Sequence, residues 1–265
     1  HNMNMSRRQR LQLVRGGIYA LTIAALALLI ISVDWGALGG ALFKWDVVKK
    51  QFPDILTSAL RNTIIFTIFG FIGGLSLGLL LAIMRLSKSR PYRWFAATYI
   101  EILRGVPLLV TLLILGFGIP IATGWSWPNP YVQGAVPLAL VAGAYIAETV
   151  RAGIEAVPRG QMEAARSLGM SYTRAMVTVI IPQAFRIIVP PLTNEFVLLI
   201  KDTSLISVLG VTERTLDLAR FGRNGVNDSA NATPLVVAGL VYLALTIPLT
   251  QLAAWMERRS KVGRR

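Results

Sequence analysis

The sequence contains six apolar stretches that are each long enough to cross a lipid bilayer as a helix. One crossing needs about 20 helical residues, and a chain that is 54% hydrophobic and only 15% charged is too apolar for an ordinary soluble domain. The stretches lie near 16–33, 57–84, 95–121, 133–151, 185–209 and 234–256. We therefore predict an all-α membrane protein with about six transmembrane helices, called spans one to six in chain order.

The positions of the basic residues predict how the chain is oriented in the membrane. The net charge is +14, and Lys and Arg concentrate on the cytoplasmic side of membrane proteins. With a cytoplasmic N-terminus, 18 of the 27 Lys and Arg residues fall on that side, whereas the outer loops mix basic with acidic residues. Both termini are therefore predicted to be cytoplasmic. We interpret the excess positive charge as complementary to an anionic membrane surface. It is therefore not interpreted as a sign of nucleic-acid binding.

Small residues recur at every fourth position in spans two and four. The positions are Gly70, Gly74, Gly78 and Ala82 in span two, and Ala135, Ala139, Gly143 and Ala147 in span four. Such stripes allow two helix backbones to approach closely. We expect them to be helix–helix packing faces, and the alternative is a stripe that lines a substrate path.

The segment between spans one and two, "GALFKWDVVKKQF", is typical of a short helix at the membrane interface. Phe43, Trp45 and Phe52 within it, and Trp35 shortly before it, suit headgroup depth.

Two pairs of opposite charges are predicted near the cytoplasmic ends of spans three and four. Glu101 with Arg104, and Glu148 with Arg151, are three residues apart and so lie on one helix face. We interpret them as structural ion pairs, although charges inside a membrane also mark functional sites.

Span five combines two prolines with several polar residues. Pro190 and Pro191 remove two backbone donors and are expected to bend or break the helix. The polar residues that follow are Asn194, Glu195, Lys201, Asp202, Thr203 and Ser204. Since polar groups beyond a break cannot face lipid, we predict that they line a translocation path with a non-helical gate at "KDTS". The alternative is a shorter helix followed by an external loop.

The sequence lacks the residues that energy coupling or catalysis would require. The only Lys followed by Ser or Thr is Lys88, and it is not preceded by the glycine of a phosphate-binding loop. The chain has no Cys and a single His, which excludes disulfides and Cys/His metal sites, and no Ser has a usable His base. No catalytic or metal site is therefore predicted, and any ATP must be bound by another chain.

Residues 153–183 are predicted to form two short helices on the cytoplasmic side. Pro158 and Gly160 open the first helix, Gly169 suits the left-handed position after its end, and Ser171 can cap the second. Pro182 marks either the end of the second helix or the start of span five. Because an eight-residue helix is unstable alone in water, the segment must dock on something, and Ala164 and Ala165 leave a shallow surface for another protein.

This segment resembles the EAA loop of the transmembrane subunits of bacterial ABC importers. The resemblance is carried by Glu163-Ala164-Ala165, then Gly169, then "VIIP" ending at Pro182. It extends to "EILRGVPLLV", "GAYIAETVRAGIEAVPRGQMEAARSLGMS" and "IIPQAFRIIVPPLTNEFVLLIKDTSL", which are similar to the polar amino acid permeases of the histidine, glutamine, glutamate and arginine branch. The similar region covers roughly residues 57–256.

The resemblance implies a type I ABC importer transmembrane-domain fold and a set of partners. These are ABC ATPase subunits that carry ATP and Mg²⁺, a second permease subunit in a homodimer or heterodimer, and an extracytoplasmic substrate-binding protein that delivers a polar amino acid. It also implies that Glu163, Ala164, Ala165, Gly169 and Pro182 dock the ATPase, with no cofactor in this chain. The protein would then be a multi-pass protein of the bacterial inner membrane.

Three regions are expected along the chain. Residues 1–56 form an N-terminal anchor helix and an outer interfacial segment, residues 57–256 form the transmembrane domain with the loop at 153–183, and residues 257–265 form a basic tail. The rival function is an ion-coupled secondary transporter in which the broken span five couples uptake to an ion gradient. A membrane scaffold is a third class, but it leaves Asn194, Glu195, Lys201 and Asp202 without a role.

Overall fold

The computed structural model describes residues 7–210 and 213–262, and these residues are helical almost throughout. Arg264 and Arg265, at the end of the predicted basic tail, lie outside the described residues. The α-helices are α1 (Arg7–Ser32), α2 (Trp35–Leu42), α3 (Trp45–Gln51), α4 (Arg61–Leu86), α5 (Arg90–Gly105), α6 (Leu108–Leu113), α7 (Ile119–Thr123), α8 (Pro130–Glu155), α9 (Arg159–Ser167), α10 (Tyr172–Ala175), α11 (Ile181–Asp202), α12 (Leu218–Ser229) and α13 (Thr233–Val262). Ile55–Leu60, Ile114–Gly118 and Met176–Ile180 are π-helical, and Thr203–Leu209 and Glu213–Thr215 are 3-10 helices.

The prediction of about six spans is confirmed. Within the described residues, five helices are long and apolar enough to cross a membrane, and one bent pair of helices supplies a sixth. Span one is Leu11–Ser32, span two Ile55–Leu86, span four Pro130–Glu155, span five Tyr172–Leu209 and span six Thr233–Arg259; the bent pair Arg90–Gly105 and Leu108–Thr123 is span three. Span one has no buried residue in its apolar window, so the rest of the chain leaves it uncovered.

Spans two and four pack against each other through the predicted stripes of small residues. A Cβ atom added at Gly74 would lie 2.8 Å from the Ala142 Cβ atom and 3.3 Å from the Ala139 carbonyl oxygen. One added at Gly78 would lie 3.0 Å from the Gly143 carbonyl oxygen. The two backbones thus approach closely only because these positions carry no larger side chain. The interpretation of the stripes as packing faces is confirmed.

The main core joins spans two, four and five. Its fully buried side chains include Phe66 from span two, Leu138 and Ile146 from span four, and Ile206 from the end of span five. Span six packs against span five and against α12. The bundle therefore holds span five between spans four and six.

Span three is bent rather than straight, which the sequence analysis did not predict. Its two halves meet at an angle of 104°. Val106 and Pro107 are both extended, with ψ of 132° and 135°. The residue before a proline is driven out of the helical region by the proline ring, so α5 ends at Gly105 and a new helix starts at Leu108.

The break predicted in span five at the double proline is wrong. Helix α11 continues through Pro190 and Pro191 to Asp202. Each proline still removes one backbone hydrogen bond, but α11 packs against α8 and α13, and Pro190 is itself buried. Packing on both sides therefore holds the helix in place.

The non-helical gate predicted at "KDTS" is also wrong. Lys201 and Asp202 end α11, and Thr203 and Ser204 start the 3-10 helix that runs to Leu209. The alternative of an external loop directly after a shorter helix fails for the same reason. The whole of span five from Tyr172 to Leu209 is helical.

The segment after span one forms two short helices, α2 and α3, instead of one interfacial helix. Asp34 caps α2 by accepting a hydrogen bond from the Ala37 amide at 2.9 Å. The Lys44 amide donates to the Thr233 hydroxyl at 2.9 Å, which ties the segment to the start of span six. The aromatic residues Trp35, Phe43, Trp45 and Phe52 are exposed, as an interfacial position requires.

Candidate functional site: the loop at 153–183 and the pocket beside span five

The first helix of the loop is α9, and it ends in the way the sequence predicts. Gly169 has φ of +83°, the left-handed conformation that glycine adopts without strain. The Gly169 amide donates to the Arg166 carbonyl at 3.0 Å, and the Met170 amide donates to the Ala165 carbonyl at 3.2 Å. This pair of bonds is a Schellman motif, which satisfies the last carbonyls of the helix and reverses the chain sharply.

The second helix of the loop is not a separate element. Ser171 caps it as predicted, because its hydroxyl accepts a hydrogen bond from the Arg174 amide at 3.3 Å. From Tyr172 the helix then runs without interruption into span five. Pro182 lies inside this continuous helix, directly after the π-helical turn Met176–Ile180. Pro182 therefore does not end the second helix.

The exposed surface of α9 differs from the predicted docking surface at two positions. Glu163 and Ala164 are exposed as predicted, but Ala165 is only 5% exposed and packs inside the chain. Leu168, which the sequence analysis missed, is 85% exposed. Among the described residues, Glu163 makes no ion pair within 4.0 Å. The exposed docking candidates are therefore Glu163, Ala164 and Leu168. An apolar residue directly before the glycine that ends a helix was the sequence signal that could have identified Leu168.

The loop is fastened to the bundle by side chains from both of its helices. The Gln183 side-chain amide donates to the Gln161 side-chain oxygen at 3.2 Å and to the Val179 carbonyl at 3.0 Å. Ala175 is fully buried. A displacement of α9 would therefore be passed on to the start of span five.

A second candidate site is a pocket of about 280 Å³ beside span five. Glu195 and Asp202 line one wall, Tyr145 of span four lines another, and Val106 and Leu108 bring the bend of span three to it. Glu195 and Asp202 are seven residues apart, two helical turns, and so share a face. Among the described residues, no Lys or Arg lies within 4.0 Å of either carboxylate. The pocket can therefore hold a small ligand with a cationic group.

The other polar residues predicted for the path do not line this pocket. Asn194 and Lys201 are exposed on other faces of α11, and Ser204 is half-buried. Thr203 is fully buried, and its hydroxyl donates to the Ile200 carbonyl at 2.6 Å. The structure thus brings together two of the six predicted residues.

One of the two predicted ion pairs is present. The Arg151 guanidinium binds the Glu148 carboxylate and also contacts the Glu155 carboxylate at 2.5 Å. The predicted pair of Glu101 and Arg104 is wrong, because Arg104 lies over the ring of Tyr145 at 5.3 Å and forms no ion pair within the described part of the chain. The cause is a cation–π contact with a neighbouring helix that competes with the local pair.

A buried acidic residue lies at the other end of the bundle from the loop. Asp217 is fully buried and caps α12, since one of its carboxylate oxygens accepts hydrogen bonds from the Ala219 and Arg220 amides. Its other oxygen has no hydrogen-bond partner among the described residues. Burial raises the pKa of Asp217 from 3.8 to about 6, although the capping amides and Arg220 act in the opposite direction. Sequence patterns do not reveal this residue.

Comparison with known proteins supplies independent information. The profile of the family described as "Binding-protein-dependent transport system inner membrane component" matches residues 74–262. The L-cystine transport system permease protein TcyB of Bacillus subtilis (strain 168) is 36% identical over 220 residues, which cover 83% of this chain and 92% of that protein. The glutamate/aspartate import permease protein GltK of Escherichia coli O157:H7 is 32% identical over 224 residues, covering 82% and 98%.

Solved structures show the same architecture. A chain from the crystal structure of an amino acid ABC transporter with histidines is 35% identical, with a TM-score of 0.74 and coverage of 82% of this chain and 98% of that one. A chain of the MetNI methionine ABC transporter in an inward-facing conformation has a TM-score of 0.63 at 21% identity and supports the fold alone.

Proposed function

Because the chain belongs to the family of binding-protein-dependent transport system inner membrane components, we propose that it forms the membrane path of an ABC importer for a polar amino acid. Its relatives include permease proteins named for cystine and for glutamate and aspartate. The chain itself is a multi-pass membrane subunit. ATP and Mg²⁺ are expected on a partner ATPase.

The observation that carries the proposal is the pocket with Glu195 and Asp202. Two carboxylates that form no ion pair within 4.0 Å among the described residues are costly to maintain in a membrane-spanning region unless a ligand uses them. Every amino acid carries an α-ammonium group, and the pocket offers it two acceptors at the bend of span three. Since both carboxylates belong to span five, a movement of that span would present or withdraw the ligand.

The loop at 153–183 supports the second half of the proposal. Glu163, Ala164 and Leu168 form an exposed surface on a helix too short to be stable on its own. We assign this surface to a cytoplasmic ATPase, and both chain termini are then expected on the cytoplasmic side. A second permease subunit would complete the path, and an extracytoplasmic binding protein would deliver the amino acid to the opposite end.

The test is uptake of labelled amino acids by proteoliposomes that contain this chain with its ATPase and binding protein. We expect uptake that requires ATP, and Glu195→Gln and Asp202→Asn should each raise the KM for uptake by about tenfold, from the loss of one charge-assisted hydrogen bond. Asn194→Ala and Lys201→Gln are matched controls, since both side chains lie on the same helix but outside the pocket. Uptake driven by a proton or sodium gradient without ATP would refute the importer and favour the secondary transporter.

A further inference from the structure

A separate pocket of about 360 Å³ lies between the first half of span five and the last turns of span six. Phe185, Arg186 and Pro190 line it from span five, and Trp255 and Arg259 line it from span six. It is open on one side, and neither the transport path nor the loop at 153–183 uses it. We propose that this pocket binds one anionic phospholipid, with the phosphate between Arg186 and Arg259 and an acyl chain along the apolar wall.

The charge of the pocket indicates an anionic ligand. Two guanidinium groups line it, and none of its described lining residues is acidic. The Arg259 guanidinium lies 4.0 Å from the centre of the Trp255 ring, which orients it without using up its hydrogen-bond donors. A guanidinium donates in a fork that matches the oxygens of a phosphate.

The apolar part of the pocket indicates a lipid rather than a free anion. Phe185 is 63% exposed and Trp255 is 50% exposed, so at least half of each ring is left uncovered by the chain. An inorganic phosphate would leave these rings bare. A phospholipid would cover them with its acyl chain and reach the two guanidinium groups with its headgroup.

The position of the pocket along span six agrees with headgroup depth. The apolar sequence of this span ends at Trp255 and Met256, and Glu257, Arg258 and Arg259 follow. Trp255 and Arg259 are four residues apart and so lie on one face, one helical turn from each other. Trp residues at the boundary of a span and basic residues just beyond it are the arrangement that anionic headgroups bind.

The experiment uses the full chain with its partner subunits in mild detergent, followed by native mass spectrometry with added phosphatidylglycerol or phosphatidylcholine. We expect one phosphatidylglycerol per copy of this chain to be retained about 25-fold more strongly than phosphatidylcholine, since each of the two basic residues contributes about a fivefold preference. Arg186→Gln with Arg259→Gln should abolish this preference. Arg90→Gln with Arg93→Gln, a pair of exposed arginines elsewhere, should leave it unchanged.

Two further arms keep the result interpretable. Arg186→Lys with Arg259→Lys keeps both charges and should retain most of the preference, which separates loss of the site from loss of the fold. Inorganic phosphate should not compete with phosphatidylglycerol at equal concentration. Equal retention of the two lipids by the unchanged protein, or full competition by inorganic phosphate, would overturn the lipid site. Loss of subunit assembly instead of lipid in the Gln pair would show that another protein chain fills the pocket, and would overturn it as well.

Discussion

Gly169 determines the geometry of the loop through its backbone rather than through a contact. A Cβ atom at this position would meet nothing within 4 Å, but the φ of +83° is a conformation that other residues rarely adopt. The chain reversal between α9 and α10 therefore depends on the absence of a side chain. An exposed surface placed by such a reversal has a fixed orientation.

We predict that Gly169→Ala weakens association with the ATPase. Forcing alanine into the left-handed region costs about 1–2 kcal/mol, and relaxation of the turn would move Leu168 and Glu163 away from their docking positions. The expected result is a several-fold loss of ATPase binding in pull-down titrations. Gly160→Ala is the control, because Gly160 is also open on all sides but has no positive φ. Equal binding by the two variants would contradict the role of the turn.

Asp217 gives the folded protein a specific dependence on pH. Its pKa is raised to about 6 by burial, so between about pH 4 and 6 the folded state holds a proton that the unfolded state releases. The contribution of Asp217 to stability is therefore greatest below its unfolded pKa of 3.8 and falls as the pH rises to about 6. Above that pH both states are ionised and the contribution stays constant.

Asp217→Asn should remove this dependence. The amide oxygen of Asn can still cap α12, and no buried charge remains, so at pH 7 the variant should be more stable by about 2–3 kcal/mol. Thermal unfolding in detergent from pH 4 to pH 8 measures the effect. Asp34→Asn changes an exposed cap of α2 and should leave the pH profile unchanged. A parallel profile for Asp217→Asn and the unchanged protein would refute the prediction.

At the scale of whole elements, spans two and four pack with their backbones in close approach. A Cβ atom at Gly74 would lie 2.8 Å from the Ala142 Cβ atom and 3.3 Å from two backbone atoms of span four, none of which can move aside as the end of a flexible side chain can. This contact holds the frame against which span five would move.

We predict that Gly74→Leu destabilises the protein by about 1–3 kcal/mol, the usual cost of overpacking. Gly239→Leu is the matched control, because Gly239 also lies inside a span but has nothing within 4 Å of its Cβ position. Thermal unfolding in detergent should show a lower Tm for the first variant alone. The same Tm in both variants would mean that spans two and four can separate at little cost.

The helices show which parts of the fold the sequence could predict. The apolar stretches and small-residue stripes depend on local composition and spacing, so the spans and their contact were predicted correctly. The prolines were misjudged, because a proline's effect depends on its neighbours in space. Pro107 follows an extended Val106 and separates two helices, whereas Pro190 is buried between α8 and α13 and leaves its helix intact.

In the candidate sites, too, features that depend on local sequence were predicted correctly, and contacts between distant helices were not. Gly169 and Ser171 act through local backbone geometry and were predicted correctly. Whether Ala165 points outward, and whether Arg104 pairs with Glu101 or lies over Tyr145, depends on helices far away in the sequence. Local spacing carries no information about those contacts.

At the scale of the whole molecule, span one is separable from the rest. None of its apolar window is buried by other parts of the chain. We predict that removal of residues 7–32 leaves the remaining spans folded, with ATP-driven uptake in proteoliposomes within about twofold of the full chain, since no packing contact is lost. Deletion of span six, which packs against span five, is the contrasting control and should abolish folding. A collapse in expression or uptake on removal of span one would show that it supports the bundle.

Span five is longer than the membrane is thick. Its 38 helical residues extend about 57 Å at 1.5 Å per residue, against about 40–45 Å for a bilayer with its headgroups. The end of this helix nearest the loop extends into water, and its other half carries Glu195 and Asp202. Pro190 and Pro191 lie at the midpoint, where each removes one backbone hydrogen bond. The helix nevertheless stays continuous through the prolines, because α8 and α13 pack against it. A displacement of its end in water would therefore be expected to shift Glu195 and Asp202 at the other end.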